Sequence, residues 1–177
     1  MKSILSNGIW ANGLFMAGGL AVRVSGTRAF AVNRAVCAYG MLYFAGDSLH
    51  QVLVKRSWLY VPHHICGAYI FYQLATVVPE AKVLGNYAAI LVAIEYSGLI
   101  TNLRHVLKRE HRLPWKLDAF LFGNYTLVRV VAFPWFISTY VEDVGLQRAS
   151  WAIYTMSAYW SGKWAKGLWD RRPNKKW

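Results

Sequence analysis

The sequence predicts an all-α, polytopic membrane protein: a single domain over 1–177, built as a bundle of about six transmembrane helices. Three observations lead to this fold class. Hydrophobic residues make up 56% of the chain, which exceeds the usual globular share. These residues are concentrated in apolar stretches that no long linker separates. Nine Trp and eleven Tyr match the aromatic belts found at both membrane interfaces.

The first three apolar stretches differ in how clearly they predict a span. Stretch 9–24 is rich in glycine, so a helix that lies on the membrane surface stays open beside a span. Stretch 29–54 carries Asp47 near its end. Stretch 61–78 has Pro62 at its start, a position in a helix that proline favours.

The last three stretches are longer or more clearly bounded. Stretch 84–107 is the clearest, although Glu95 lies at its middle. Stretch 115–141 contains Pro134, which we expect to kink the helix. Stretch 149–168 is interrupted by two lysines. At a rise of about 1.5 Å per residue, all but the first and third stretches could cross a core of about 30 Å.

Charge indicates the partners and the orientation of the chain. The sequence has 20 Lys and Arg against 8 Asp and Glu, a formal net charge of +12. Because the chain is so apolar, this charge indicates anionic lipid headgroups at a basic face rather than nucleic acid. With six spans, most basic residues, including those of the tail 169–177, fall on the side of both termini. The positive-inside rule places that side in the cytoplasm or the mitochondrial matrix.

The N-terminal part favours the mitochondrial inner membrane, with the endoplasmic reticulum as the alternative. Asp47 is the first acidic residue, and a basic, acid-poor start is typical of mitochondrial targeting. Cys37 and Cys66 lie in apolar stretches and are expected to be reduced packing residues. We predict no metal site and no cofactor, since His63 and Cys66 have no matching second pair of ligands.

Polar residues inside the apolar stretches are the predicted functional site. Ionisable groups at such depth are costly, and they normally face the interior of a bundle or a wet cavity, paired with another group. The predicted central polar cluster, which is also the predicted lipid-binding site, contains Tyr43, Asp47, His50, His63, His64, Glu95, Asn102, Arg104, Asn124, Tyr125 and Arg129.

Spacing groups the first members of this cluster. Tyr43, Asp47 and His50 share one face of a helix. Asp47 could orient an imidazole, or it could be an interfacial carboxylate with a partner near the helix end. His63 and His64 begin a helix, where the backbone N–H groups disfavour imidazolium. They could act as a base or bind a lipid headgroup, or they could simply cap the helix or pack at an interface.

The remaining charges predict contacts between helices. Glu95 must be protonated or paired, and Arg129 needs a carboxylate, for which Glu95 is our first candidate. Such a pair could serve the specificity of the bundle or catalysis. Asn102 lies on the same face as Glu95, whereas Arg104 lies nearly opposite and could snorkel to the basic face.

Tyr125 and Arg129 fall on one stripe of their helix together with Asp118.

The order of the polar motifs resembles that of the TLC-domain family, which includes ceramide synthases and several lipid-related proteins without synthase activity. The resembling motifs are Tyr43-Phe44-Ala45-Gly46-Asp47, Trp58 followed by Val61-Pro62-His63-His64, Glu95-Tyr96-Ser97, Leu103-Arg104, and Asn124 followed by Arg129. The resemblance implies a TLC-like core over about 30–141, with six or so helices around a cavity for acyl chains.

The resemblance is closer to the non-synthase members. Ceramide synthases carry an acid-rich segment near the catalytic cavity, whereas Asp47, Glu95 and Asp118 are widely separated here. We therefore expect a non-catalytic subunit of a larger membrane complex, with respiratory enzymes or ATP synthase as candidate hosts. Its partners would be membrane lipids and other membrane-protein subunits, with a bound phospholipid or other acyl lipid.

Two alternatives remain. The first is a lipid-modifying enzyme for acyl transfer, in which His63 or His64 is the general base and Asp47 orients it. The second is a lipid sensor of the endoplasmic reticulum. No catalytic residue is assigned under the subunit hypothesis.

Overall fold

The computed structural model describes part of the chain, and all regular structure in that part is helical. The described residues are 13–14, 16–17, 29–54, 58, 61–76 and 81–172. Five helices follow one another: α1 (Ala29–Leu53), α2 (Val61–Thr76), α3 (Ala81–Arg109), α4 (Trp115–Tyr140) and α5 (Val144–Asp170). The prediction of an all-α fold is confirmed for these residues.

The ends of the helices differ from the predicted stretches by a few residues. The largest difference is at α5, which begins at Val144 because Asp143 caps it: the Asp143 carboxylate accepts a hydrogen bond from the Leu146 N–H at 2.7 Å. Residues 169–170 of the predicted tail belong to this helix, and 173–177 lie outside the described residues. Most of the predicted stretch 9–24 also lies outside them.

Helix α4 continues through Pro134 by means of a π-helical segment. It is α-helical over Trp115–Thr126, π-helical over Leu127–Ala132 and α-helical again over Phe133–Tyr140. Proline cannot donate a hydrogen bond to the carbonyl four residues earlier, and that carbonyl belongs to the π-helical segment. The wider hydrogen-bond spacing there also sets the position of Arg129.

Among the described helices, α4 is the one that is long and apolar enough to cross a membrane, by length and composition. Only 33% of its most apolar 18-residue stretch is buried against the rest of the protein. A helix in the core of a soluble protein would have most of this surface covered.

Two hydrophobic cores lie at opposite ends of the bundle. One contains Tyr87 of α3, Ile137 of α4 and Leu146 of α5. The other contains Ile100 and Leu121, together with Leu168 near the end of α5. The start of α4 therefore packs beside the ends of α3 and α5, so α4 runs antiparallel to both.

Helices α1 and α2 form the closest pair, also antiparallel. A methyl group added at Gly40 would lie 2.8 Å from ring carbons of Phe71, and one added at Gly67 would lie 3.0 Å from the Phe44 ring. Two glycines thus let an aromatic ring of the partner helix approach the backbone.

We predict that Gly40→Ala destabilises the protein. The new methyl group would overlap the buried Phe71 ring, and overpacking of this kind costs about 1–3 kcal/mol. Gly46→Ala, on the same helix and with nothing within 4 Å of the added methyl, is the matched control; both variants gain the same helix propensity. The check is chemical unfolding in a mild detergent, followed by circular dichroism. Equal stability of the two variants would contradict the close approach.

Candidate functional site

The structure brings His64 and Asp47 together across α1 and α2. The Nε2 atom of His64 lies 3.4 Å from the Oδ2 atom of Asp47. The amide of Gln51, one turn along α1, donates a hydrogen bond to the same oxygen at 3.4 Å. His64 is buried and Asp47 is half-buried. The pair links the two helices at the level that the Phe44–Gly67 contact determines.

His63 lies in an aromatic setting beside this pair. Its ring centroid is 5.4 Å from that of Trp160 on α5 and 6.5 Å from that of Phe44. Its Nδ1 atom is buried and has no hydrogen-bond partner among the described residues. The Nε2 atom of His50, near the end of α1, is also buried without a hydrogen-bond partner among the described residues.

Arg129 is buried between α4 and α3. Its Nε donates to the Ser97 hydroxyl at 2.6 Å, and its Nη2 donates to the Ile94 carbonyl oxygen at 3.2 Å. Its Nη1 is buried and has no partner among the described residues. The carboxylate that we expected beside it, Glu95, interacts with it electrostatically, but the hydrogen bonds go to neutral oxygens.

Electrostatic interactions join the central residues across four helices. The buried Glu95 of α3 interacts electrostatically with Tyr43 of α1 and with Arg129. Arg129 also interacts electrostatically with His63 of α2 and with Tyr125. Three predicted members, His63, Glu95 and Tyr125, are thus within electrostatic range of Arg129, and Tyr43 is within range of Glu95.

Three predicted members lie elsewhere. Asn124 donates to the Phe120 carbonyl at 2.9 Å and accepts a hydrogen bond from the Tyr96 hydroxyl at 3.5 Å, at a partly exposed contact of α3 with α4. Asn102 is half-buried on α3. Arg104 belongs to a second polar cluster, near the basic end of the bundle.

This second cluster is centred on Asp118, which is 0% exposed. The carboxylate of Asp118 accepts hydrogen bonds from Arg104 Nε at 2.7 Å, from Trp164 Nε1 at 2.8 Å, and from Arg171 Nη2. The Arg104 guanidinium also lies 4.2 Å from the centroid of the Trp164 ring. The cluster therefore holds α3, α4 and α5 together.

From the sequence we included Arg104 in the central polar cluster and expected that it could snorkel to the basic face, but we did not pair it with Asp118. A signal was present: the two residues flank the short connection between α3 and α4. Antiparallel helices joined by a short connection bring residues near it to the same level. Arg171 lies too far away in sequence for that signal.

The comparisons with known proteins give no family. No protein-family model, curated protein or solved structure matches the chain. Among the described residues, no group of three or more His, Cys, Asp or Glu side chains could hold a metal ion. The chemistry must therefore be argued from the two polar clusters.

We predict that Asp118→Asn lowers the free energy of unfolding by about 3 kcal/mol, because it leaves the largely buried Arg104 guanidinium, 13% exposed, without its counter-charge. Glu110→Gln is the control, since the exposed Glu110 lies 3.9 Å from an equally exposed Arg112 and such pairs contribute little. Both are measured by chemical unfolding in detergent. Equal effects of the two variants would show that the Asp118 cluster does not hold the bundle.

Proposed function

We propose that the chain is a polytopic membrane protein with a TLC-like helix bundle, which binds an acyl lipid as a non-catalytic subunit of a larger membrane complex. One observation carries this proposal: charged and polar side chains are buried inside the bundle beside its two hydrophobic cores, while many large apolar side chains are exposed on its outside. Within the described ranges, the buried polar residues are Gln51, His64, Glu95, Ser97, Asp118, Arg129, Ser150, Ser157 and Ser161.

The apolar exterior involves every described helix. Leu42 of α1 is 75% exposed and Trp135 of α4 is 62% exposed. Large exposed side chains also occur on the other helices: Tyr72 on α2, Leu103 on α3 and Tyr159 on α5. Water disfavours so much apolar surface, whereas acyl chains or neighbouring subunits would cover it. This supports several spans rather than α4 alone.

One end of the bundle carries basic residues. The end of α3 contributes Lys108 and Arg109, the connection to α4 contributes Arg112, and α4 contributes Lys116, all exposed. At the end of α5, the Arg172 guanidinium lies 3.7 Å from the centroid of the Trp169 ring. Such an end fits anionic headgroups. The acid-poor N-terminal sequence favours the mitochondrial inner membrane, with the endoplasmic reticulum as the alternative.

The surroundings of the histidines favour binding over catalysis. The His64 ring is buried, and its Nε2 atom lies 3.4 Å from the Asp47 Oδ2 atom, so this nitrogen is already committed to a contact between helices. The nearest carboxylate, Asp47, is engaged by His64 and Gln51. Asp118, which with Glu95 is one of the two buried acidic residues of the described part of the chain, is held by two arginines.

A native separation of gently solubilised membranes, followed by mass spectrometry, tests the proposed function. We expect the chain to comigrate with a large assembly that survives detergent washing. Alkaline carbonate extraction is the parallel measurement, and we expect the chain to stay in the membrane pellet. Migration alone with retention in the pellet would remove the subunit role and leave the membrane fold. Release by carbonate would overturn both.

The contact between His64 and Asp47 is what favours the alternative, a lipid-modifying enzyme. We predict that His64→Ala leaves the lipid composition of the membrane unchanged while the protein still accumulates. The control is His111→Asn, a histidine replacement on the surface at a positive φ of 55°, which asparagine tolerates. Accumulation of an acyl donor or loss of a lipid product in His64→Ala alone, measured by lipid mass spectrometry, would favour the enzyme.

A further inference from the structure

Arg129 is a buried cation whose hydrogen bonds are incomplete. It is 7% exposed, and among the described residues its two hydrogen-bond acceptors, the Ser97 hydroxyl and the Ile94 carbonyl, are neutral. Its Nη1 is buried without a partner. A guanidinium in such surroundings is strongly destabilised unless an anionic acceptor reaches it.

His63 supplies an independent observation at the same place. Its Nδ1 is also buried without a described partner, and a neutral imidazole can present a hydrogen-bond donor at that atom. Helix α5 relates this ring to Arg129: Ser161, next to Trp160, forms a hydrogen bond of 3.0 Å with the Thr126 hydroxyl, one turn before Arg129 on α4. The two incomplete groups, one from α2 and one from α4, therefore lie at the same level of the interior. The Trp160 ring, with its centroid 5.4 Å from that of His63, forms an aromatic wall beside them.

Two carboxylates, Asp47 and Glu95, belong to the surroundings of this pair, and they interact with different groups. Asp47 is contacted by His64 and Gln51. Glu95 acts on Arg129 from α3 and also on Tyr43. Glu95 would therefore compete with an anionic ligand for the positive charge of Arg129. Removing the Glu95 charge should strengthen the binding of an anion, so the test includes one variant that is expected to raise affinity.

We infer that Arg129 and His63 form the head-binding subsite for an acyl lipid whose head is an anionic oxygen group, a carboxylate or a phosphate. This inference rests on the proposed lipid binding and adds the chemistry of the head. The Arg129 Nη1 and the His63 Nδ1 donate hydrogen bonds to the head, and Ser97 fixes the guanidinium through its Nε.

The test compares lipids with matched chains. The full-length protein, delipidated in a non-ionic maltoside detergent, is titrated with oleate against oleyl alcohol, and with dioleoyl phosphatidate against dioleoylglycerol. Native mass spectrometry measures the bound fraction. We expect at least one anionic lipid to bind more tightly than its neutral match, and the two pairs distinguish a carboxylate from a phosphate. Arg129→Gln should weaken anionic binding by about tenfold to a hundredfold, as expected for a lost charge-assisted hydrogen bond.

Three further variants serve as controls. Glu95→Gln should strengthen anionic binding, and Arg148→Gln, which replaces an exposed basic residue near the start of α5 and away from the basic end, should change nothing. His63→Phe keeps the aromatic contacts with Trp160 and Phe44 and removes the ring nitrogens, so it should weaken anionic binding alone. If Arg129→Gln does not fold, His63→Phe and Glu95→Gln test the subsite in its place. The rise in melting temperature on adding lipid is then a second measure of binding.

The outcomes separate this inference from the proposed function. Equal binding of anionic and neutral lipids would overturn the subsite and leave lipid binding intact. An anionic preference that no interior variant changes would also overturn the subsite. Failure of all four lipids to bind would overturn lipid binding itself.

Discussion

The buried carboxylate of Asp118 determines how α3, α4 and α5 meet. Its donors come from the helix before it and the helix after it: Arg104 from α3, and Trp164 and Arg171 from α5. A carboxylate at this depth is tolerated only when cations and hydrogen-bond donors surround it. Any sliding of one helix along another would leave charges buried and unmatched. The cluster therefore fixes the level of each helix, and with it the level at which Arg129 meets Ser97.

The other half of the bundle obtains its polar contact from packing. Gly40 and Gly67 admit the rings of Phe71 and Phe44 close to the backbone of the partner helix. In an antiparallel pair with that register, Asp47 must face His64, one turn beyond the Phe44–Gly67 contact. The two side chains then lie 3.4 Å apart. Packing of aromatic rings against glycines thus determines where Asp47 meets His64, whereas the ion pairs of Asp118 determine where α3, α4 and α5 meet.

These two cases explain what could be predicted from the sequence. Helix positions follow from apolar stretches, because each stretch must be helical to satisfy its backbone in an apolar setting. The spacing also shows which residues share a helix face, although we grouped Asp47 with Tyr43 and His50 and not with Gln51, which donates to it. The acceptors of Arg129 could not be predicted, because one is the backbone carbonyl of Ile94, which no side-chain pattern reveals. The π-helical segment that carries Arg129 leaves no mark in hydrophobic periodicity either.

The two polar clusters differ in how completely their atoms are satisfied, and this difference separates structure from function. In the Asp118 cluster, no buried side-chain nitrogen or oxygen of Asp118, Arg104 or Trp164 lacks a partner within the described part of the chain. A closed network of this kind stabilises one arrangement of helices and offers nothing to a ligand. Around Arg129 and His63, buried donors remain unmatched. Buried charges without partners cost stability, and the anionic head inferred above would complete these donors.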